Sequence, residues 1–189
     1  GGVLEVTVGG VVPPALTAAS SVGEHTGEGD LALPIGIDGL NEPRVPGGGE
    51  LYIVLEFDGD ADAGGLSAAF APALGVGASV SAGAASNMAE IHFDGNVATD
   101  RYTVTLSGTG TGTFDICYVQ GDVNCSGDAT GLDLAAVQSP GNWNKLLSEG
   151  ASVRADVNRD GQATGLDLAA VQSPASWNQP VPALTCGCP

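Results

Sequence analysis

The strongest constraint on this chain is a repeat in its last third. Asp122-Val-Asn-Cys-Ser-Gly-Asp-Ala-Thr-Gly-Leu-Asp133 runs into Leu-Ala-Ala-Val-Gln-Ser-Pro140. Thirty-four positions on, Asp156-Val-Asn-Arg-Asp-Gly-Gln-Ala-Thr-Gly-Leu-Asp167 runs into the same Leu-Ala-Ala-Val-Gln-Ser-Pro174. Eleven consecutive residues are identical from Thr130 and from Thr164, and Trp143-Asn144 recurs as Trp177-Asn178. A repeat of this length is one supersecondary unit used twice, each copy covering the apolar face of the other.

The unit carries oxygen donors at a fixed spacing. A calcium loop of twelve residues needs oxygen ligands at positions 1, 3, 5, 7 and 9, a glycine at 6 for the sharp turn, and a carboxylate at 12. The first copy offers Asp122, Asn124, Ser126, Gly127, the carbonyl of Asp128, Thr130 and Asp133. The second offers Asp156, Asn158, Asp160, Gly161, the carbonyl of Gln162, Thr164 and Asp167. Two calcium ions are therefore expected. The second loop has three ligand carboxylates and the first only two, so the second binds more tightly. Asn124-Cys125-Ser126 is formally a glycosylation sequon, but a metal would occupy both outer residues.

Charge points the same way. Five Lys+Arg stand against 22 Asp+Glu in 189 residues, a formal net charge of −17. Such a surface repels nucleic acid and anionic membranes and attracts divalent cations. No apolar run approaches the ~18 residues of a membrane span. The chain opens Gly1-Gly2 without an initiator methionine or signal segment, which reads as a processed or excised product with both ends tied down.

Upstream of the repeat, short β-like runs alternate with turns. Leu4–Val8, Leu31–Ile37, Leu51–Phe57, Glu90–Phe93, Arg101–Leu106 and Thr113–Val119 predict strands, separated by Gly- and Pro-rich stretches such as residues 43–49. That spacing predicts a sandwich or barrel of about seven to nine strands. The Ala-rich Ser67–Ala73 predicts a short helix limited by Pro72. Asp58-Gly-Asp-Ala-Asp62 begins like another calcium loop, but Ala63 replaces the turn glycine and Ala69 the closing carboxylate, so it reads as a solvated hairpin tip.

The paired DxNxxGxxTxxD loops, each followed by Leu-Ala-Ala-Val, resemble a type I dockerin over about residues 120–180. The resemblance implies a small calcium-dependent module that binds cohesins, which are β-sandwiches, and builds extracellular assemblies. Pro140 and Pro174 stop each helix after its loop early. The partner-selecting positions of cellulosomal dockerins are Gly131-Leu132 and Gly165-Leu166 here. Ser21-Val-Gly-Glu-His25 leading to Leu31-Ala-Leu-Pro34, with Glu50–Phe57, is similar to sandwich domains preceding such dockerins in large bacterial exported proteins, notably of planctomycetes. The expected architecture is a mainly β cohesin- or Ig-like sandwich over 1–119 and a small α module of EF-hand-like repeats over 120–189.

The four cysteines, Cys117, Cys125, Cys186 and Cys188, form no CxxC pair, and histidine is nearly absent, so zinc is not expected. An even count in an exported chain predicts two disulfides. Closure of Cys186 onto Cys188 would be strained. The pseudo-twofold repeat brings its two ends together, so one bridge from each of Cys117 and Cys125 to one of Cys186 and Cys188 is expected, in either order. His25 and His92 fit no Ser/His/Asp spacing and read as structural, and Trp143 and Trp177 as core packing.

No catalytic constellation is present, so an enzyme is not expected. Two roles remain for an extracellular or cell-surface calcium protein. It self-associates head to tail into filaments, through a heterologous contact of repeat on sandwich or by donating the strand Leu4–Val8 to a neighbouring sheet. Alternatively, it is an anchoring module that binds a separate cohesin-like partner.

Overall fold

The computed structural model describes residues 12–35, 40–44, 50–175 and 177–179. The described residues between 12 and 118 build two sheets around one core. The first sheet has the order β2-β1-β4-β7-β6, formed by β1 (Leu16–His25), β2 (Gly29–Pro34), β4 (Leu51–Phe57), β6 (Ala78–Ala82) and β7 (Met88–Phe93), all antiparallel. The second has the order β3-β9-β8-β5, from β3 (Leu40–Glu42), β5 (Leu66–Ala71), β8 (Asp100–Gly108) and β9 (Gly112–Tyr118). Among the described strands only β3 runs parallel to its neighbour, β9.

The sheets meet through the inward residues of alternating strands. Ile53, Leu55 and Phe57 of β4 and Ala89 and Ile91 of β7 face Val104 and Leu106 of β8 and Phe114 and Ile116 of β9, all buried. The period of two fixes which face each side chain takes, which is why the Val/Ile/Leu-rich runs were readable as strands. Their bounds agree closely for β4, β7, β8 and β9.

The sequence reading differs from the structure in several places. Ser67–Ala73 is not a helix. Leu66, Ala68 and Phe70 alternate inward along β5, which pairs antiparallel with β8. Pairing and burial override the helix preference of alanine here. Asp58–Asp62 is not a hairpin tip, because β4 and β5 lie in different sheets and the segment crosses between them. Its carboxylates are exposed and go to separate partners: Asp58 accepts from Ala15 N, Asp60 from Ser86 Oγ and Asp62 from Gly64 N. The ten-residue β1 was not expected, since its middle is Ala18-Ala-Ser-Ser21, with little β signal. Leu4–Val8 and the end of Leu31–Ile37 lie outside the described residues, as do both chain ends.

The C-terminal repeat is a second, smaller core. Val123, Val137, Ala151, Ala155, Val157, Ala163 and Val171 are buried together, with Trp143 and Trp177 packed half-buried against them. Each copy contributes one seven-residue helix, α1 (Gly131–Val137) and α2 (Gly165–Val171). Thr130 and Thr164 cap them, and Asp133 and Asp167 complete each capping box from the third helical position. The copies exchange edges. Asn144 N donates to Ala163 O beside the short pair β10 (Lys145–Leu146) and β11 (Gln162–Ala163), and Asn178 N donates to Ala129 O. The chain is thus a β-rich domain followed by a small two-helix region.

Candidate metal centre: two duplicated acidic loops

In each loop the backbone wraps the position-1 aspartate. Asp122 accepts Ser126 N through Oδ1 at 2.9 Å and Gly127 N through Oδ2 at 2.8 Å. Asp156 accepts Asp160 N at 3.0 Å and Gly161 N at 2.9 Å in the same way. The closing aspartates repeat too: Asp133 accepts Asn124 N and Thr130 N, and Asp167 accepts Asn158 N and Thr164 N. Asn124 and Asn158 turn their Oδ1 back onto the N–H of Ser126 and Asp160.

The sharp turn needs left-handed backbone at two positions. Gly127 and Gly161 both have φ of 91°, where an L side chain is strained. Cys125 and Arg159, at position 4, take φ of 62° and 63°. The duplicated sequence therefore gives a duplicated backbone down to its strained residues.

The donor set fits a hard divalent cation. Asp156, Asp160 and Asp167 each bring a carboxylate oxygen within 4.8 Å of the others, and Asp156 and Asp167 are fully buried. Burial pushes Asp167 up to about 6 against its backbone N–H bonds, and the charges of Asp156 and Asp160 add to this. Burial does the same to Asp122, also reaching about 6, with Asp133 adding to it. Carboxylates crowded and desolvated in this way call for a cation. In the second loop Asp156, Asn158, Asp160, the carbonyl of Gln162, Thr164 and Asp167 would hold it. In the first, Asp122, Asn124, Ser126, the carbonyl of Asp128, Thr130 and Asp133 would do so. Here Ser126 Oγ bonds the Asp128 carboxylate at 2.7 Å.

The loops differ in how they meet the β domain. The first is held by its backbone: the carbonyl of Asp122 accepts from Asn41 Nδ2 at 3.0 Å and Arg154 Nη2 at 3.2 Å, and Gly121 N donates to Pro43 O. The second is held by its ligand. His25, the last residue of β1, places Nδ1 2.6 Å from Asp156 Oδ2, with both side chains fully buried. Arg44 Nη1 lies 3.2 Å from His25 Nε2. It also donates to the carbonyls of Leu31 and Ser21 and, bidentately, to Glu42. Burial pushes the Glu42 carboxyl up, but the Arg44 charge and hydrogen bonds outweigh it and hold the group below its ordinary value.

Composition carries a signal for this interface. With only five Lys+Arg in the chain, three of them, Arg44, Arg154 and Arg159, lie where the repeat meets the sheets. His92 stacks on Tyr52 between Glu50 and Glu90. Cys117 and Cys125 are both disulfide-bonded, while Cys186 and Cys188 lie outside the described residues.

No helix among the described residues is long and apolar enough to cross a membrane. Comparison with curated proteins and with solved structures found no match. Residues 120–173 match the family model of the type I dockerin domain. The duplicated loops and their two helices are thus a type I dockerin-like module.

Proposed function

We propose that this chain is a calcium-dependent anchoring module of an exported protein, which docks a cohesin-like β-sandwich partner outside the cell. The dockerin match over the repeat carries this reading, and the paired loops supply its metal dependence. Each loop takes one calcium ion. The ion neutralises carboxylates that the fold gathers without a counter-charge, and binding energy becomes folding energy for a core too small to stand alone. Docking then uses the surface that both copies repeat. Leu132 and Leu166 are the large apolar residues there, 69 % and 63 % exposed. Dockerins are assembly modules, and the role proposed is adhesion, not catalysis. The family match favours this anchoring role over the end-to-end filament considered beside it, for which Leu4–Val8 lies outside the described residues.

The test is calorimetric titration of the full chain with calcium, then binding to a panel of cohesin domains with calcium and with chelator. Two calcium equivalents and a cohesin that binds only with calcium are expected. Calcium uptake without any cohesin binding, together with sedimentation of the calcium-loaded chain as filaments, would return the argument to self-association.

A further inference from the structure

The second calcium loop is built against the β domain on three sides. Thr26, in the turn after β1, donates its N–H to Arg159 O at 3.0 Å. Arg159 Nη1 donates to Glu50 O at 3.0 Å. A Cβ on Gly161 would run into the Thr26 carbonyl, so this glycine is needed for close approach as well as for its φ. His25 then reaches the position-1 carboxylate itself. Arginine only donates, so the His25 Nε2 beside Arg44 must accept, and Nδ1 carries the hydrogen that goes to Asp156. Leu31 and Ser21 carbonyls and Glu42 hold Arg44 in turn. A donor locked this firmly fixes one oxygen of Asp156 and leaves the other orientation of its carboxylate to the loop. Outer partners of metal ligands act in this way.

We infer that the β domain completes the second calcium loop, with His25 as the positioning residue for Asp156, so that filling this loop and seating the module on the sheets are one coupled equilibrium. Among the described residues the first loop shows no such dependence: its contact with the β domain runs through backbone at Gly121 and Asp122, and its carboxylates bond within the loop. Coupling is reciprocal: whatever factor the seated β domain adds to calcium affinity, calcium returns to the seating. The inference rests on the calcium reading above.

The experiment uses the full chain and calcium alone. Calorimetry gives site number and affinities for the parent, His25→Ala, His25→Asn and Arg159→Gly. Hydrogen exchange of the Thr26 amide reports the seating, and the β4 and β7 amides report the fold. His25→Ala should weaken one site about ten-fold or more and leave the other unchanged. His25→Asn, whose amide N–H can stand where Nδ1–H stood, should recover most of the loss. Arg159→Gly takes its φ of 63° without strain and removes a buried side chain whose Nη1 bonds Glu50 O, so it should weaken the same site if a buried His25 variant fails to fold. In the parent, Thr26 protection should rise with calcium while β4 and β7 stay protected throughout. If the parent binds two ions but His25→Ala and Arg159→Gly leave both affinities unchanged, or Thr26 protection ignores calcium, the coupling is overturned and the calcium reading stands. A parent that binds no calcium overturns both.

Discussion

Leu132 and Leu166 stand at the same position of the two copies, each at the second residue of its helix, and both point into solvent. An exposed leucine repeated by symmetry is a docking feature more readily than a folding one, because neither contributes to the core. Replacing both with aspartate should weaken cohesin binding at least 100-fold. The unfolding free energy with calcium should change only on the scale of surface substitutions, about 0.5 kcal/mol each. Surface plasmon resonance beside differential scanning calorimetry checks this; a double variant that still binds at full strength would remove these leucines from the interface.

Calcium removal should loosen the module and leave the sheets folded. Trp143 and Trp177 pack half-buried on the repeat core, so chelator should red-shift tryptophan emission. The chain has no other tryptophan. Asp167→Ala removes a closing carboxylate and a capping box together. It should lower the calcium-loaded melting temperature by ~5 °C or more, on a scale of about 2–4 °C per kcal/mol for a chain of this size. Ser126→Ala should cost less.

Acidity should act with opposite sign on the metal-free and loaded forms. Asp122 and Asp167 are pushed up to about 6 from 3.8. Between those values the metal-free folded state holds more protons than the unfolded chain. Its stability therefore falls as pH rises from about 4 to about 6. Calcium needs ionised ligands, so loaded stability rises over the same window. Melting curves at pH 4.5 and 7 with and without chelator should cross over; parallel curves would contradict the assignment.

Glu42→Gln should be among the costliest single changes in the chain. It strips the carboxylate that pairs Arg44 bidentately, and both side chains are essentially solvent-free. Leaving a buried guanidinium without its counter-charge costs about 3–5 kcal/mol, which urea unfolding would register. Because Arg44 also braces His25, the second calcium site should weaken with it.

The disulfides should clasp the repeat. Cys117 is the last residue but one of β9 and Cys125 sits in the first loop, and both are bonded. Peptide mapping should join each to one of Cys186 and Cys188. Each closed loop would exceed ~60 residues, and loop entropy then predicts about 4 kcal/mol of stabilisation. A Cys117–Cys125 peptide would refute the clasp.

What could be read in advance was whatever is local. A calcium loop places all its ligands within twelve residues, so spacing alone located Asp122 to Asp133 and Asp156 to Asp167. Strands rich in Val, Ile and Leu announced themselves by alternation. β1 and β5 did not, because Ala and Ser carry little β signal and only pairing with β4 and β8 settles them. The bond from His25 to Asp156 spans 131 residues. No local pattern encodes such a contact, and His25 was read only as structural. That was right in kind, yet it missed which structure the residue serves.

Position 4 of each loop shows what duplication leaves free. Cys125 and Arg159 take left-handed φ values within one degree of each other and do unrelated work. One carries a covalent tie and the other grips the sheets. A slot whose conformation is guaranteed by the loop, and whose side chain supplies no ligand, can be reassigned without altering the ligand set. After the copying event the two halves could therefore specialise outward while remaining twins inward. The same slot is where a linker, a label or a new partner contact could be grafted onto modules of this kind.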